Sequence, residues 1–332
     1  MHPKNLLIIQ RLEYISQALS RDPGIPTLTL AKRLFEKHGE LFQSVEAARS
    51  AIRYHRGENG KEQRHLRKFD NEKRKINIPN SDVAPERTEA ITLSLKGYGT
   101  IISDVHIPYH SKEAIAVALE HADKNDAMDW LFINGDFIDF YGVSKFSRNP
   151  KARRVKDELI MARDFLIELA KYYPRIIFKL GNHERRFISY LYTTAPEIAD
   201  LPCLSLEELF ALDEGKIEFI GAQQIAHCGD YLTIMHGHEF PQGIASPVNP
   251  ARGAFLKAKN NCIVGHQHKV SEHVETDIRR TVISTFSLGC LCDLSPPYAP
   301  VNSYVHGFAT MHMDGNDFEV NNYRITNNYK VR

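Results

Sequence analysis

Five short runs of apolar, mostly β-branched residues each end on a polar cluster. The clusters read Asp104-Val-His106, Gly135-Asp136-Phe-Ile-Asp139, Gly181-Asn182-His183-Glu184, His236-Gly-His238 and Gly265-His266-Gln-His268. Short apolar runs of this kind read as buried strands, so five strands are expected to deliver all the clusters to one rim of a sheet. Nitrogen and oxygen donors in that mixture suit Mn²⁺, Fe or Zn²⁺ better than a thiolate-seeking ion.

The strands are expected at 100–103, 131–134, 176–180, 232–235 and 262–264, with helices at 112–123 and 154–172 between the first three. The tail at 281–288, 307–312 and 318–325 reads as consecutive strands, with Asp314-Gly315-Asn316 as a turn. Alternating strands and helices followed by a strand series predict an α/β fold, a two-sheet β-sandwich flanked by helices.

The 332 residues allow two folding units. A helical domain is expected over 1–57, a charged linker over 58–96 and the domain bearing the clusters over 97–332. The composition, 42% hydrophobic and 25% charged, is that of a globular protein. No apolar stretch approaches the roughly 20 residues of a membrane helix, and the N-terminus does not read as a secretory signal. Five cysteines without CxxC spacing fit a reducing cytoplasm. Cys290 and Cys292 read as packing residues on opposite faces of a strand.

In the first unit Leu6, Ile9, Leu12, Ile15 and Leu19 mark one face of a helix. Pro23-Gly24-Ile25-Pro26 breaks the chain, and Leu30, Leu34 and Phe35 mark a second helix. Ser44 is expected to cap a third, which Gly57 stops. Three short helices with tight turns are compatible with a helix-turn-helix unit. Arg49, Arg53 and Arg56 form a basic stripe on the third helix, suited to DNA or phosphate contact or equally to a solvated face. Residues 1–87 hold 17 Lys/Arg against 11 Asp/Glu, about +6, so the remainder is near −5 of the net +1. The linker, with Arg64, Arg67, Lys68 and Lys73-Arg74-Lys75, reads as a solvated spacer or as an attractor of DNA or RNA.

Two divalent ions about 3.5–4 Å apart need a shared ligand, which a carboxylate can be. Asp136, in the middle of the set, is the natural bridge. A water held between such ions loses a proton near neutral pH and becomes a nucleophile.

The order D-x-H, GD-x-x-D, GNHE, H, GHxH resembles the calcineurin-like metallophosphoesterase superfamily over roughly residues 98–315. The resemblance implies that Asp104, His106 and His268 bind one ion, that Asn182, His236 and His266 bind the other, and that Asp136 bridges. Two ions are implied, Mn²⁺ first, with Fe, Zn²⁺ or Ni²⁺ as alternatives. His236 matches the family ligand, which leaves His238 for a supporting or substrate contact. His183 matches the family's non-ligand histidine, an acid or charge stabiliser, and Asp139 the carboxylate that orients it.

Protein phosphatases of this superfamily carry a phosphate-gripping Arg where Phe140 stands. Arg185 and Arg186 are candidates to replace it, and His110, Arg148, Arg252 and Tyr298 are candidate contacts in nearby loops. His121, His227, His306 and His312 read as structural. The expected activity is hydrolysis of a phosphoester by in-line attack, with a nucleic acid or nucleotide as substrate and nuclease or end-processing action as one form of it. The alternatives are a small-molecule phosphoesterase with an oligomerising N-terminal unit, and a nucleic-acid-binding regulator on a non-catalytic scaffold.

Overall fold

The computed structural model describes residues 3–57, 90–144, 154–212, 215–240, 248–296 and 299–332, with side chains from Leu7 onward. Arg64, Arg67, Lys68, Lys73-Arg74-Lys75, Arg148 and Tyr298 lie outside the described residues. The chain divides into two compact units, Met1–Pro85 and Glu86–Arg332.

The first unit holds helices α1 (Pro3–Arg21), α2 (Thr27–Lys37) and α3 (Val45–His55). Ser44 caps α3, its hydroxyl accepting from the Ala47 N–H at 3.1 Å. Ile15, Leu30, Ala31, Leu34, Ala48 and Ile52 pack into one core. The expected apolar face of α1 is only partly used: Ile15 is fully buried, whereas Ile9 and Leu12 are exposed. The basic stripe also needs correction. The Arg56 guanidinium donates to the Thr27 hydroxyl at 2.7 Å and to the Ile25 carbonyl at 2.6 Å, clipping α3 to the start of α2. Arg49 faces Glu46 at 3.4 Å.

The second unit is built on two six-stranded sheets. In one, β2 (Gly97–Ile102), β3 (Leu131–Asn134), β4 (Ile176–Lys179) and β5 (Ile217–Ile220) run parallel. Antiparallel β11 (Gly307–Asp314) and β12 (Asp317–Arg324) extend the β2 edge. The other has the order β1 (Ile91–Leu93), β6 (Ala226–Cys228), β7 (Leu232–Ile234), β8 (Asn261–Val264), β10 (Val282–Ser287), β9 (Ser271–Thr276).

Strand side chains alternate between faces, and the cores show it. Ile101, Phe132 and Ile177 join Leu232, Ile234 and Ile263 of the other sheet between the layers. Their neighbours Ile102, Leu131, Ile133, Ile176 and Phe178 face outward instead. There they meet α4 (Lys112–Lys124), α5 (Val155–Tyr172) and α6 (Asn182–Thr194). Helix α8 (Pro250–Ala258) covers Met235, Cys262 and Val264 on the far face of the second sheet, and α7 (Leu206–Leu209) is a single turn. The expected sandwich flanked by helices is the observed fold. The five clusters, however, come from two sheets, β2, β3 and β4 of one and β7 and β8 of the other, so they meet at one rim of the sandwich. No helix among the described residues is long and apolar enough to cross a membrane.

Candidate active site

Each cluster begins where its strand stops, and the backbone there turns sharply. Asp104, His106, Asp136, His266 and His268 all have positive φ, between 51° and 66°. A non-glycine residue in that region costs on the order of 1–2 kcal/mol. Five such residues at one rim mean that surrounding bonds hold them there. Gly135 (φ 80°) is required at its turn, because a Cβ would strike the His236 ring. Gly181 needs no unusual φ, but a Cβ there would collide with Asp136.

The clusters are bolted to one another. Buried Glu184 accepts four backbone N–H groups, those of Asp136, Phe137, Ile138 and Gly181, at 2.8–3.0 Å. Asp104 Oδ2 accepts the Ser103 hydroxyl and the His266 N–H. The His183 N–H donates to Asp136 Oδ1 at 2.9 Å.

Second partners aim the imidazoles, as they do at metal sites. His236 Nδ1 bonds the Asn134 carbonyl at 2.6 Å, which points Nε2 to within 3.2 Å of Asp136 Oδ2. His106 Nδ1 bonds Asp139 Oδ1 at 3.0 Å, which brings its Nε2 to 3.2 Å from His268 Nε2. The His268 Nε2 lies 3.0 Å from Asp104 Oδ1. Asp136, His236 and His266 form one group whose donor atoms lie within 4.8 Å of one another, and His106, Asp136 and His183 form a second. Asn182 opens α6 beside them, its buried Oδ1 without a hydrogen-bond partner.

Opposite charges within the cluster act against the cost of burial. Burial opposes charge on His236, yet Asp136 and then Asp104 outweigh it and raise its pKa to about 9. His268, also opposed by burial, is raised to about 10 by Asp104. The histidines in turn hold Asp104 and Asp136 well below the usual carboxylate range, against the effect of burial. The effect is not uniform, since burial lowers the pKa of His106 and His266; a cation is stabilised where the carboxylates outweigh burial, around His236 and His268.

Beside this group His183 Nδ1 lies 2.7 Å from the Asp139 carbonyl oxygen and 3.2 Å from its carboxylate. Burial lowers the His183 pKa, but Asp136 and Asp139 carry it above the ordinary histidine value. Asp139 therefore aims two rings, His106 as well as His183, where one was expected. Arg186 donates to His183 Nε2 at 3.2 Å and to the Asp139 carbonyl at 3.1 Å.

These side chains face a cavity of about 620 Å³ lined by His106, Asp136, Asp139, Asn182, His183, Arg186, His266 and His268, with Tyr141, Ser144 and Tyr304. Arg185 and Arg252 are exposed and do not line it. His238 is turned toward Gln223, 3.2 Å away, so of the two neighbouring histidines His236 enters the cluster. His110 lines separate cavities. Phe140 is fully buried and stacks on Phe187 with centroids 5.0 Å apart.

A calcineurin-like phosphoesterase family model matches residues 100–283, more than half of the chain. The chain belongs to the calcineurin-like phosphoesterase family. Among curated proteins, this family member is similar to the Gene 54 protein of Mycobacterium phage L5. The two are 24% identical over 176 residues, 51% of this chain and 68% of the phage protein. Among solved structures, Vacuolar Protein Sorting 29 from Cryptosporidium parvum aligns with a TM-score of 0.39 and 13% identity. The match covers 71% of this chain and 94% of that one. Wild-type Vps29 complexed with Zn²⁺ from Entamoeba histolytica aligns at 0.37 and 12%, over 71% and 96%.

Several residues of this calcineurin-like site escaped sequence reasoning. Fully buried Lys179 bonds the Leu180 and Ala222 carbonyls and pairs with Glu239 at 2.8 Å. Glu239 in turn accepts the His236 and Gly237 N–H groups at 3.1 and 2.6 Å. Its place three residues after His236 was the available signal. Cys290 and Cys292 do not face opposite sides, because residues two apart in extended chain share a face. Their segment makes isolated bridges only, and Cys292 interacts with Cys290 and lies 3.9 Å from His268 Nδ1. The histidines read as structural have local partners: His227 bonds Thr233, and His306 bonds the Cys292 carbonyl. His121 and His312 pack on aromatic rings.

Proposed function

We propose that this protein is a dinuclear metal-dependent phosphoesterase that hydrolyses a nucleic acid or nucleotide ester by in-line displacement. The observation that carries the reading is the convergence of three buried atoms: Asp104 Oδ1 and His236 Nε2 meet other members of the cluster, His268 Nε2 at 3.0 Å and Asp136 Oδ2 at 3.2 Å, and Asn182 Oδ1 has no hydrogen-bond partner among the described residues. A buried polar atom left unpaired is costly, and each of these is an atom that a cation takes. In this reading Asp104, His106 and His268 would hold one ion and Asn182, His236 and His266 the other, with Asp136 shared. The N/O chemistry of the set suits Mn²⁺, with Fe, Zn²⁺ or Ni²⁺ as alternatives. Bound there, such ions would supply Lewis acidity and an acidified water.

The remaining steps belong to side chains. Arg186 and Asn182 orient the phosphoryl group from the cavity wall. His183, whose pKa Asp136 and Asp139 raise, takes up a proton at Nε2 for the leaving oxygen once the phosphate draws the Arg186 guanidinium away from that nitrogen. Asp139 keeps both His183 and His106 in position.

A Mn²⁺-supplemented screen of p-nitrophenyl mono- and diesters, cyclic nucleotides, and single- and double-stranded oligonucleotides tests the reading. Hydrolysis that EDTA abolishes and Mn²⁺ restores is expected. Failure on every ester opposes it and favours a non-catalytic scaffold. A second role for the first unit is favoured by the exposed Ile9 and Leu12 of α1 and by the use of Arg56 within the helical unit. In that reading the unit oligomerises instead of recruiting nucleic acid. Light scattering of wild type and Ile9→Glu/Leu12→Glu decides it, since only an α1 interface makes the variant lighter.

A further inference from the structure

Two tyrosine rings stand among the polar groups of the cavity. Tyr141 and Tyr304 line it together with the histidines and Arg186. Tyr304 packs over His268, with centroids 4.3 Å apart and planes inclined by 59°. Tyr141 meets Tyr109 edge to face at 6.4 Å and 78°, and Tyr109 is 38% exposed. The backbone explains how Tyr141 comes to be there. Phe140 takes a left-handed conformation (φ 50°) and buries its ring on Phe187, and the 3₁₀ turn Tyr141–Val143 starts from it. The position that carries an Arg in protein phosphatases thus anchors the turn, and the following residue lines the cavity.

A phosphoryl group is held by cations and hydrogen-bond donors, and the aromatic face of a tyrosine, as distinct from its hydroxyl, offers it nothing. A cavity of about 620 Å³ is also far larger than a phosphoryl group requires; sites of this size hold a whole small molecule. Tyrosine presents a rigid amphipathic ring that stacks on flat aromatic groups, and the flat group that accompanies phosphate in a nucleic acid or nucleotide is the base.

We infer that Tyr141 and Tyr304 form a seat for a nucleobase, so that the substrate is a phosphoester that carries a base. The inference rests on the phosphoesterase reading above and goes beyond it by naming the group that the enzyme selects. Tyr109 supports the Tyr141 ring from outside. Arg186 holds the phosphate end and the tyrosines hold the base end, so the two ends contribute separately to affinity.

The test compares two ligands that differ only by the base. Adenosine 5′-monophosphate and ribose 5-phosphate are titrated calorimetrically into the full-length protein with Mn²⁺. A stacked base is expected to make the nucleotide bind at least about tenfold more tightly. Tyr141→Ala/Tyr304→Ala should bring the ratio to within about twofold of unity, and Tyr141→Phe/Tyr304→Phe, which keeps both rings, should preserve it. Thermal melts check that the variants are folded, and the single variant Tyr141→Leu replaces the double variant if that one does not fold. Equal affinity of the wild type for both ligands overturns the base seat and leaves the phosphoesterase reading standing. So does a ratio that survives loss of the rings. Binding of neither ligand removes the phosphate site, and the seat with it.

Discussion

Arg186 lines the cavity and bonds His183 Nε2 there. A phosphate arriving there competes for the guanidinium and releases the nitrogen that must carry the proton. Arg186→Ala is therefore expected to raise KM for a p-nitrophenyl diester about tenfold, the worth of one charge-assisted hydrogen bond. Steady-state kinetics checks it, and an unchanged KM removes Arg186 from the phosphate site. Fully buried Glu158, on α5, makes a second prediction at this scale. Burial and then the nearby Asp139 raise its pKa from 4.5 to about 7. A carboxyl group with a raised folded-state pKa favours the fold while both states are protonated, below about pH 4.5. That contribution is lost as pH rises through about 7. Glu158→Gln should thus melt a few degrees above wild type at pH 8 and level with it near pH 4.5. Equal melting temperatures at both pH values would show that the carboxyl group is not buried as an acid. Sequence identified Asp139 as an aid to His183 but could not show its bond to His106, because the two rings meet only through the fold.

At the scale of elements, the five strand ends work because neighbouring elements hold their strained turns. Lys179 on β4 and Glu239 after β7 tie one sheet to the turn that carries His236. Lys179→Met leaves a buried Glu239 without its cation, and Glu239→Gln weakens the pair while keeping an acceptor. Supporting residues of this kind are worth about 10–100-fold in metal affinity. Both variants should bind Mn²⁺ more weakly by that order in calorimetric titration, Lys179→Met more so. Wild-type affinity in both would assign the pair to stability alone. The strands were legible where apolar runs ended on Gly, Asp or Asn, and β3 falls at the expected 131–134. Strands β1, β5, β6 and β9 were not. They are short or half-exposed edge and near-edge strands whose pairing is set by distant partners such as Ile91 with Ala226.

For the whole molecule, the sandwich was legible from alternation followed by a strand series, but the division of the clusters between two sheets was not. Nothing local in His236 or His266 states that β7 and β8 pair with one another and not with β4. The first unit was legible as three helices; the tie of Arg56 to Ile25 and Thr27 was not, because it joins residues about thirty apart in sequence. Deleting residues 1–87 separates the two roles of that unit. Recruitment predicts weaker oligonucleotide cleavage, with less salt sensitivity, and an unaltered small diester; equal losses on both substrates contradict it. The central claim is that buried donors from both sheets hold ions around Asp136. The direct measurement is Mn²⁺-dependent hydrolysis of bis(p-nitrophenyl) phosphate by wild type and Asp136→Asn at matched melting temperature. The expected result is a rate that saturates with Mn²⁺ in wild type and falls about a thousandfold or more in the variant. A variant that keeps the full Mn²⁺-dependent rate would contradict the account.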